Sequence, residues 1–164
     1  MQTGCFTRRS MVAAAVGLAA STLLVDAAEA ASPFTTLNGS WSGSGRIEFE
    51  NGQSERLRCT AYYTSSNGGN GLGLAIRCAS ASNKIEVRGR LDYRNGRVSG
   101  VWEERTFNAS GTATGQASDN RVSLRLAGSI PGSMNVNVSK TRQSVAINTQ
   151  ASGLRAIRIG LSRR

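Results

Sequence analysis

Residues 59–78 read CTAYYTSSNGGNGLGLAIRC, two cysteines on either side of a glycine- and asparagine-rich tip. Cysteines so placed can hold a metal, exchange electrons or form a structural crosslink. A zinc site needs four ligands, or three and a water, and the chain has no histidine and three cysteines, one of them Cys5 near the N-terminus. A catalytic redox pair normally occupies a C-x-x-C at a helix start, and that spacing is absent. The crosslink survives a geometric test. With Gly68-Gly69 at the centre of a hairpin, the pairing sets Cys59 opposite Cys78, Ala61 opposite Ile76 and Tyr63 opposite Leu74. Directly opposed residues at a non-hydrogen-bonded position lie about 4.5 Å apart at Cα, the short end of what a disulfide accepts. The spacing therefore predicts a cross-strand Cys59–Cys78 disulfide.

Other chemistries are poorly supplied. Without histidine there is no Ser-His-Asp or Cys-His arrangement. Gly39-Ser40-Trp41-Ser42-Gly43 has the outline of a nucleophile elbow with tryptophan at its centre, and Asn70-Gly71-Leu72-Gly73 sits at a hairpin tip where no phosphate-binding helix follows. Glu103 and Glu104 are neighbours in an alternating segment, so they point to opposite faces and cannot act as a paired acid and base. The expectation is a protein with no catalytic residue, no metal and no cofactor. For binding, the candidates are Trp41, Tyr63, Trp102 and Glu104. The two tryptophans read either as ligand-stacking groups or as core fillers. Glu104 shares parity with Trp102 and reads either as a ligand anchor or as a rim residue paired with an arginine.

The formal charge is +10, carried mostly by arginine. Guanidinium groups make forked contacts to phosphate and carboxylate, so Arg58, Arg77, Arg88 and Arg90 are candidates for an anion-binding surface; the alternative is a solvated basic face. The chain lacks the exposed, interleaved aromatic residues of single-strand binders, and no nucleic-acid partner is expected.

The elements that carry these residues follow from a period of two. Trp41, Gly43, Gly45, Ile47 and Phe49 alternate with Ser42, Ser44, Arg46, Glu48 and Glu50, and comparable runs recur to Ile157, Ile159 and Leu161. Turn residues separate them at Asn51-Gly52, 66–71, Asn95-Gly96, 108–111, Asp119-Asn120 and Pro131-Gly132. The pattern predicts an all-β fold, an up-and-down antiparallel meander of eight to ten strands closed into a small barrel, with two packed sheets as the alternative. Closure removes the edges that no proline protects here. Arginines on the faces opposite the apolar positions exclude a membrane-spanning barrel. Core-facing glycines such as Gly43, Gly45, Gly100 and Gly115 allow sharp coiling or leave room for a large neighbour.

At the N-terminus, Arg8-Arg9, an uncharged run over 10–25 and Ala28-Glu29-Ala30 have the layout of a cleaved export signal. The run is short for a retained membrane anchor. Thr7-Arg8-Arg9-Ser10 resembles a twin-arginine signal. The expected organisation is a signal over 1–30, by the general or the twin-arginine route, and one barrel domain over 31–164 in the periplasm or outside the cell. In that compartment two mature cysteines are read first as a disulfide.

Leu37-Asn38-Gly39-Ser40-Trp41 is similar to the L-x-G-x-W opening of avidins, and Ala156-Ile157-Arg158-Ile159-Gly160-Leu161 resembles their last strand. The chain thus resembles the calycin barrels, lipocalins and avidins. That resemblance implies the barrel architecture, but not biotin binding, since the mid-chain ligand-stacking tryptophans of avidins have no counterpart. The function expected is an exported, non-enzymatic barrel binding a small apolar ligand or an anionic envelope component. The alternative is a protein-protein module, an inhibitor or accessory subunit for an acidic extracytoplasmic partner; inhibitors of lysozyme share this size and disulfide, but their basic target would repel a +10 chain.

Overall fold

The computed structural model describes residue 1, residues 32–150 and residues 153–164; the export-signal segment and Cys5 lie outside the described residues. One helical turn, α1 (Phe34–Leu37), precedes ten strands: β1 (Gly39–Phe49), β2 (Ser54–Ser66), β3 (Gly71–Ala79), β4 (Lys84–Arg94), β5 (Arg97–Glu104), β6 (Ala109–Ser118), β7 (Arg121–Gly128), β8 (Gly132–Val138), β9 (Arg142–Thr149) and β10 (Leu154–Arg163). Each strand pairs antiparallel with its sequence neighbours, and β1 also pairs with β10, closing the barrel. The meander and its closure are as the alternation predicts, and the two-sheet alternative is excluded.

The turns are local in origin. Asn95 and Gly96 both have positive φ, 49° and 79°, the pair of left-handed residues that a tight hairpin matched to strand twist requires. Closure demands close backbone approach at β1. A Cβ on Gly43 would fall 2.1 Å from the Gly160 carbonyl oxygen, and one on Gly45 equally close to that of Arg158, so these core-facing glycines serve the coiling of the wall.

The predicted hairpin register is present, with Cys59 opposite Cys78, Ala61 opposite Ile76 and Tyr63 opposite Leu74. The Cys59–Cys78 disulfide is formed, with Cα atoms 4.1 Å apart and both residues buried.

The two ends of the barrel differ. At the end where β1 begins and β10 finishes, α1 lies across the opening, its Phe34 and Leu37 buried. Phe34 meets Tyr93 edge to face, ring centroids 6.1 Å apart. Trp41 is fully buried beneath the turn and donates its indole N–H to the Leu37 carbonyl at 2.7 Å. Arg163 clips the plug down. Its guanidinium lies 4.4 Å from the Trp41 ring centroid and donates to the carbonyls of Asn38 (2.6 Å), Lys140 (2.7 Å) and Thr36. One turn of helix has no stability of its own, so these contacts are what hold it.

The disulfide closes a loop spanning 19 positions, which restricts the unfolded chain by about 3 kcal/mol. Replacing both Cys59 and Cys78 with alanine is expected to lower the unfolding free energy by about that amount in urea titrations, with the barrel still formed.

Candidate functional site

Inward-facing side chains fall into two sets. Towards the plugged end they are buried: Trp41, Ala61, Tyr63, Leu72, Tyr93, Val122, Val145 and Leu161 are all under 8% exposed. Phe49, Ile85, Val87, Trp102, Leu126, Met134, Ile147 and Leu154 pack on that core yet stay only partly buried. These belong to the strand halves next to the β1–β2, β3–β4, β5–β6, β7–β8 and β9–β10 connections, the end opposite α1; Leu74, also partly buried, is the exception in the other half, and Ile47, Leu57 and Ile157 are buried within this one. Among the described residues, then, a sealed end faces an end rimmed by half-exposed apolar groups. Large apolar side chains inside a barrel that keep contact with solvent distinguish its less tightly closed end.

The predicted ligand residues divide between these ends. Trp102 stands at the open end. Its ring lies over Gly111, where a Cβ would come within 3.0 Å of Cζ2, and its indole N–H donates to the Thr112 carbonyl at 3.2 Å. Trp41 and Tyr63 belong to the sealed end. Tyr63 donates its hydroxyl to Gln143 Oε1 at 3.2 Å, and Gln143 is itself buried, with Nε2 unpartnered among the described residues. Burial pushes the Tyr63 hydroxyl up from the usual 10 to about 12.

Glu104 is 5% exposed and points inward near the open end, as its parity requires. Its carboxylate accepts from the backbone N–H groups of Glu86 (2.8 Å), Thr106 (3.2 Å) and Phe107 (2.7 Å). The reading of Glu104 as a rim residue paired with an arginine is corrected: the partners are peptide N–H groups, and the carboxylate caps the β5–β6 connection while bracing the start of β4. With both oxygens occupied, Glu104 is a framework residue of the rim.

The four candidate arginines stand on three adjacent strands, β2, β3 and β4. Arg88 and Arg90 border a groove of about 880 Å³ with Tyr62, Leu74 and Val101, and the part of Trp102 that meets solvent lines it too. Arg58 and Arg77 border another, with Lys84 and Arg164. Arg77 and Arg88 both turn to Glu86, at 3.6 and 3.0 Å, together with Arg105 at 3.6 Å. The hydrogen bonds from Arg88, with the neighbouring guanidinium charges, hold the Glu86 carboxyl below the ordinary carboxylate range. Alternation alone does not group Arg46, Arg56 and Arg158: the β1–β2 register sets Arg46 opposite Arg56, and closure brings Arg158 to the other side of Arg46. No group of three or more potential metal-ligating side chains occurs among the described residues, and none of their helices is long and apolar enough to cross a membrane.

No family model and no curated protein matches this sequence. Solved structures do match in fold. Rv2717c from M. tuberculosis superposes with a TM-score of 0.65 at 14% identity, over 82% of this chain and 99% of that one. The S-type phycobiliprotein lyase CPES from Guillardia theta superposes with a TM-score of 0.52, also at 14% identity, over 80% of this chain and 89% of that one. At that identity the likeness is one of fold, the closed antiparallel barrel.

Tyr63 gives a pH signature of the sealed end. A hydroxyl whose pKa is raised on folding contributes stability in full below the unfolded value near 10, and that contribution is lost as pH rises through the folded value near 12. Stability is expected to fall as pH rises from 10 to 12, each tenfold difference in proton affinity between the folded and unfolded chain corresponding to about 1.4 kcal/mol. Tyr63→Phe is expected to flatten that fall in denaturant titrations.

Proposed function

We propose that this protein is a non-enzymatic binding barrel that admits a small apolar molecule through the end opposite α1. The observation that carries this reading is the asymmetry between the ends: one closed by Phe34, Leu37, Trp41 and Arg163, the other rimmed by half-exposed Phe49, Val87, Trp102, Met134 and Ile147. An apolar guest at the rim would cover surface that water now touches, gaining about 25 cal/mol for each Å² removed. The carboxylate of Glu104 near the rim already accepts hydrogen bonds from peptide N–H groups, so an apolar guest leaves no acceptor there without a partner. The fold is shared with a phycobiliprotein lyase; fold alone assigns no ligand, and the reading rests on the rim. Export to the periplasm or beyond, by the signal over residues 1–30, belongs to the same proposal.

The chain has two tryptophans, one at each end, which makes the reading testable by fluorescence with the neutral apolar dye N-phenyl-1-naphthylamine. Dye binding is expected to quench Trp102 emission in Trp41→Phe and to leave Trp41 emission in Trp102→Phe much less affected. Ile147→Arg, which sets an unpaired charge in the rim, is expected to weaken dye binding about tenfold or more, equivalent to at least about 1.4 kcal/mol. Equal quenching of both tryptophans with no effect of Ile147→Arg would reject the rim as the entrance.

A further inference from the structure

Closure of the barrel places Arg158 of β10 directly opposite Arg46 of β1, and the β1–β2 hairpin places Arg46 directly opposite Arg56 of β2. Three guanidinium groups thus stand in one row across three adjacent strands on the outer wall, all exposed. Arg58, two residues along β2 on the same face, extends the row at a right angle. Like charges directly opposed on neighbouring strands destabilise a sheet, and nothing nearby cancels these. Among the described residues every ion pair is made by Glu86, and Glu48, on the same face as Arg46, pairs with none of them. Arg46 donates to Ser54 Oγ and Arg158 to Asn148 Oδ1 and the Ile147 carbonyl. Arg56 and Arg58 have no ion-pair or side-chain hydrogen-bond partner among the described residues.

The four arginines border a groove of about 800 Å³ whose remaining lining, apart from Leu57, is small: Ser44, Gly45, Ala79, Ser80 and Ala81. Small residues between long cationic ones let an anion settle close to several guanidinium forks at once. Neighbouring strands lie about 4.8 Å apart, so the backbone sets the three arginines at about that repeat; Arg56 and Arg58 carry the free forks, while the Arg158 guanidinium rests on the Ile147 and Ile157 carbonyls and Asn148 Oδ1 and adds its charge at the end of the row. The forks match phosphoryl oxygens in bidentate geometry.

We infer that the Arg158–Arg46–Arg56 row with Arg58 is a binding site for phosphoryl groups presented close together, either two or more on one anion or those of neighbouring lipid headgroups. It lies on the outer wall, separate from the apolar rim, and stands whether or not the rim takes a ligand. The self-repulsion of the row is relieved when the anion is bound.

The test uses the full chain with two probes: sodium tripolyphosphate by titration calorimetry at low ionic strength, and phosphatidylcholine vesicles with and without phosphatidic acid by co-sedimentation. The double variant Arg56→Gln/Arg58→Gln is compared with Arg121→Gln/Arg125→Gln, which removes the same charge from exposed positions on β7. Loss of tenfold or more in affinity in the first variant, with less than threefold in the second, is the result expected. Binding of tripolyphosphate identifies a free phosphorylated anion as sufficient; binding confined to phosphatidic acid vesicles, with the same variant pattern, identifies a lipid headgroup as the source. Arg46→Gln is expected to raise the melting temperature without anion, and to reduce the further rise that tripolyphosphate gives to the unsubstituted protein. Equal losses in the two double variants, or binding of neither probe, would overturn the inference.

Discussion

Everything in this molecule depends on the pairing of β1 with β10. Ten strands in sequence make an open, coiled sheet with two bare edges; a ladder from Trp41–Arg163 to Phe49–Leu154 turns that sheet into a wall with an inside. The ladder requires β1 to come very close to β10, which Gly43 and Gly45 permit because they have no side chain to place against the facing carbonyls. Inside and outside, sealed end and open end, and the facing of Arg46 by Arg158 are all consequences of that closure.

The same ladder links fold to function through Arg163. It is the partner of Trp41 across the seam, and its guanidinium gathers carbonyls from the plug, from the start of β1 and from the β8–β9 connection. A contact made at the closing seam thereby fixes the plug, and the plug decides which end of the barrel remains open. The disulfide ties β2 to β3 on the buried face, with Cys59 facing Gly43 of β1 and Cys78 facing Ile85 of β4.

Much of this was legible in the sequence because it follows from local rules. Alternation with period two gave the strands, Asn-Gly pairs gave the turns, and the centre of one hairpin gave the cysteine register, since Cys59 and Cys78 lie on a single tight connection. What escaped was set at a distance. The plug is four residues long, too short to show a helical period. Glu104 could be placed inward by parity, but its amide partners come from the start of β4 and from its own following connection, which no pattern of side chains records. The arginine row escaped for a matter of one residue. A two-residue turn centred on Asn51-Gly52 would set Arg46 opposite Leu57, whereas the actual connection sets it opposite Arg56, and its other neighbour, Arg158, arrives only by closure.

The central claim is spatial: apolar molecules enter at the rim opposite α1. It is tested most directly by intermolecular NOEs between dodecanol and the methyl groups of the isotopically labelled protein. The account predicts contacts to Val87, Leu126, Met134 and Ile147 at the rim. Contacts concentrated on Val101 in the outer groove, or on Leu37 at the plug, would contradict it.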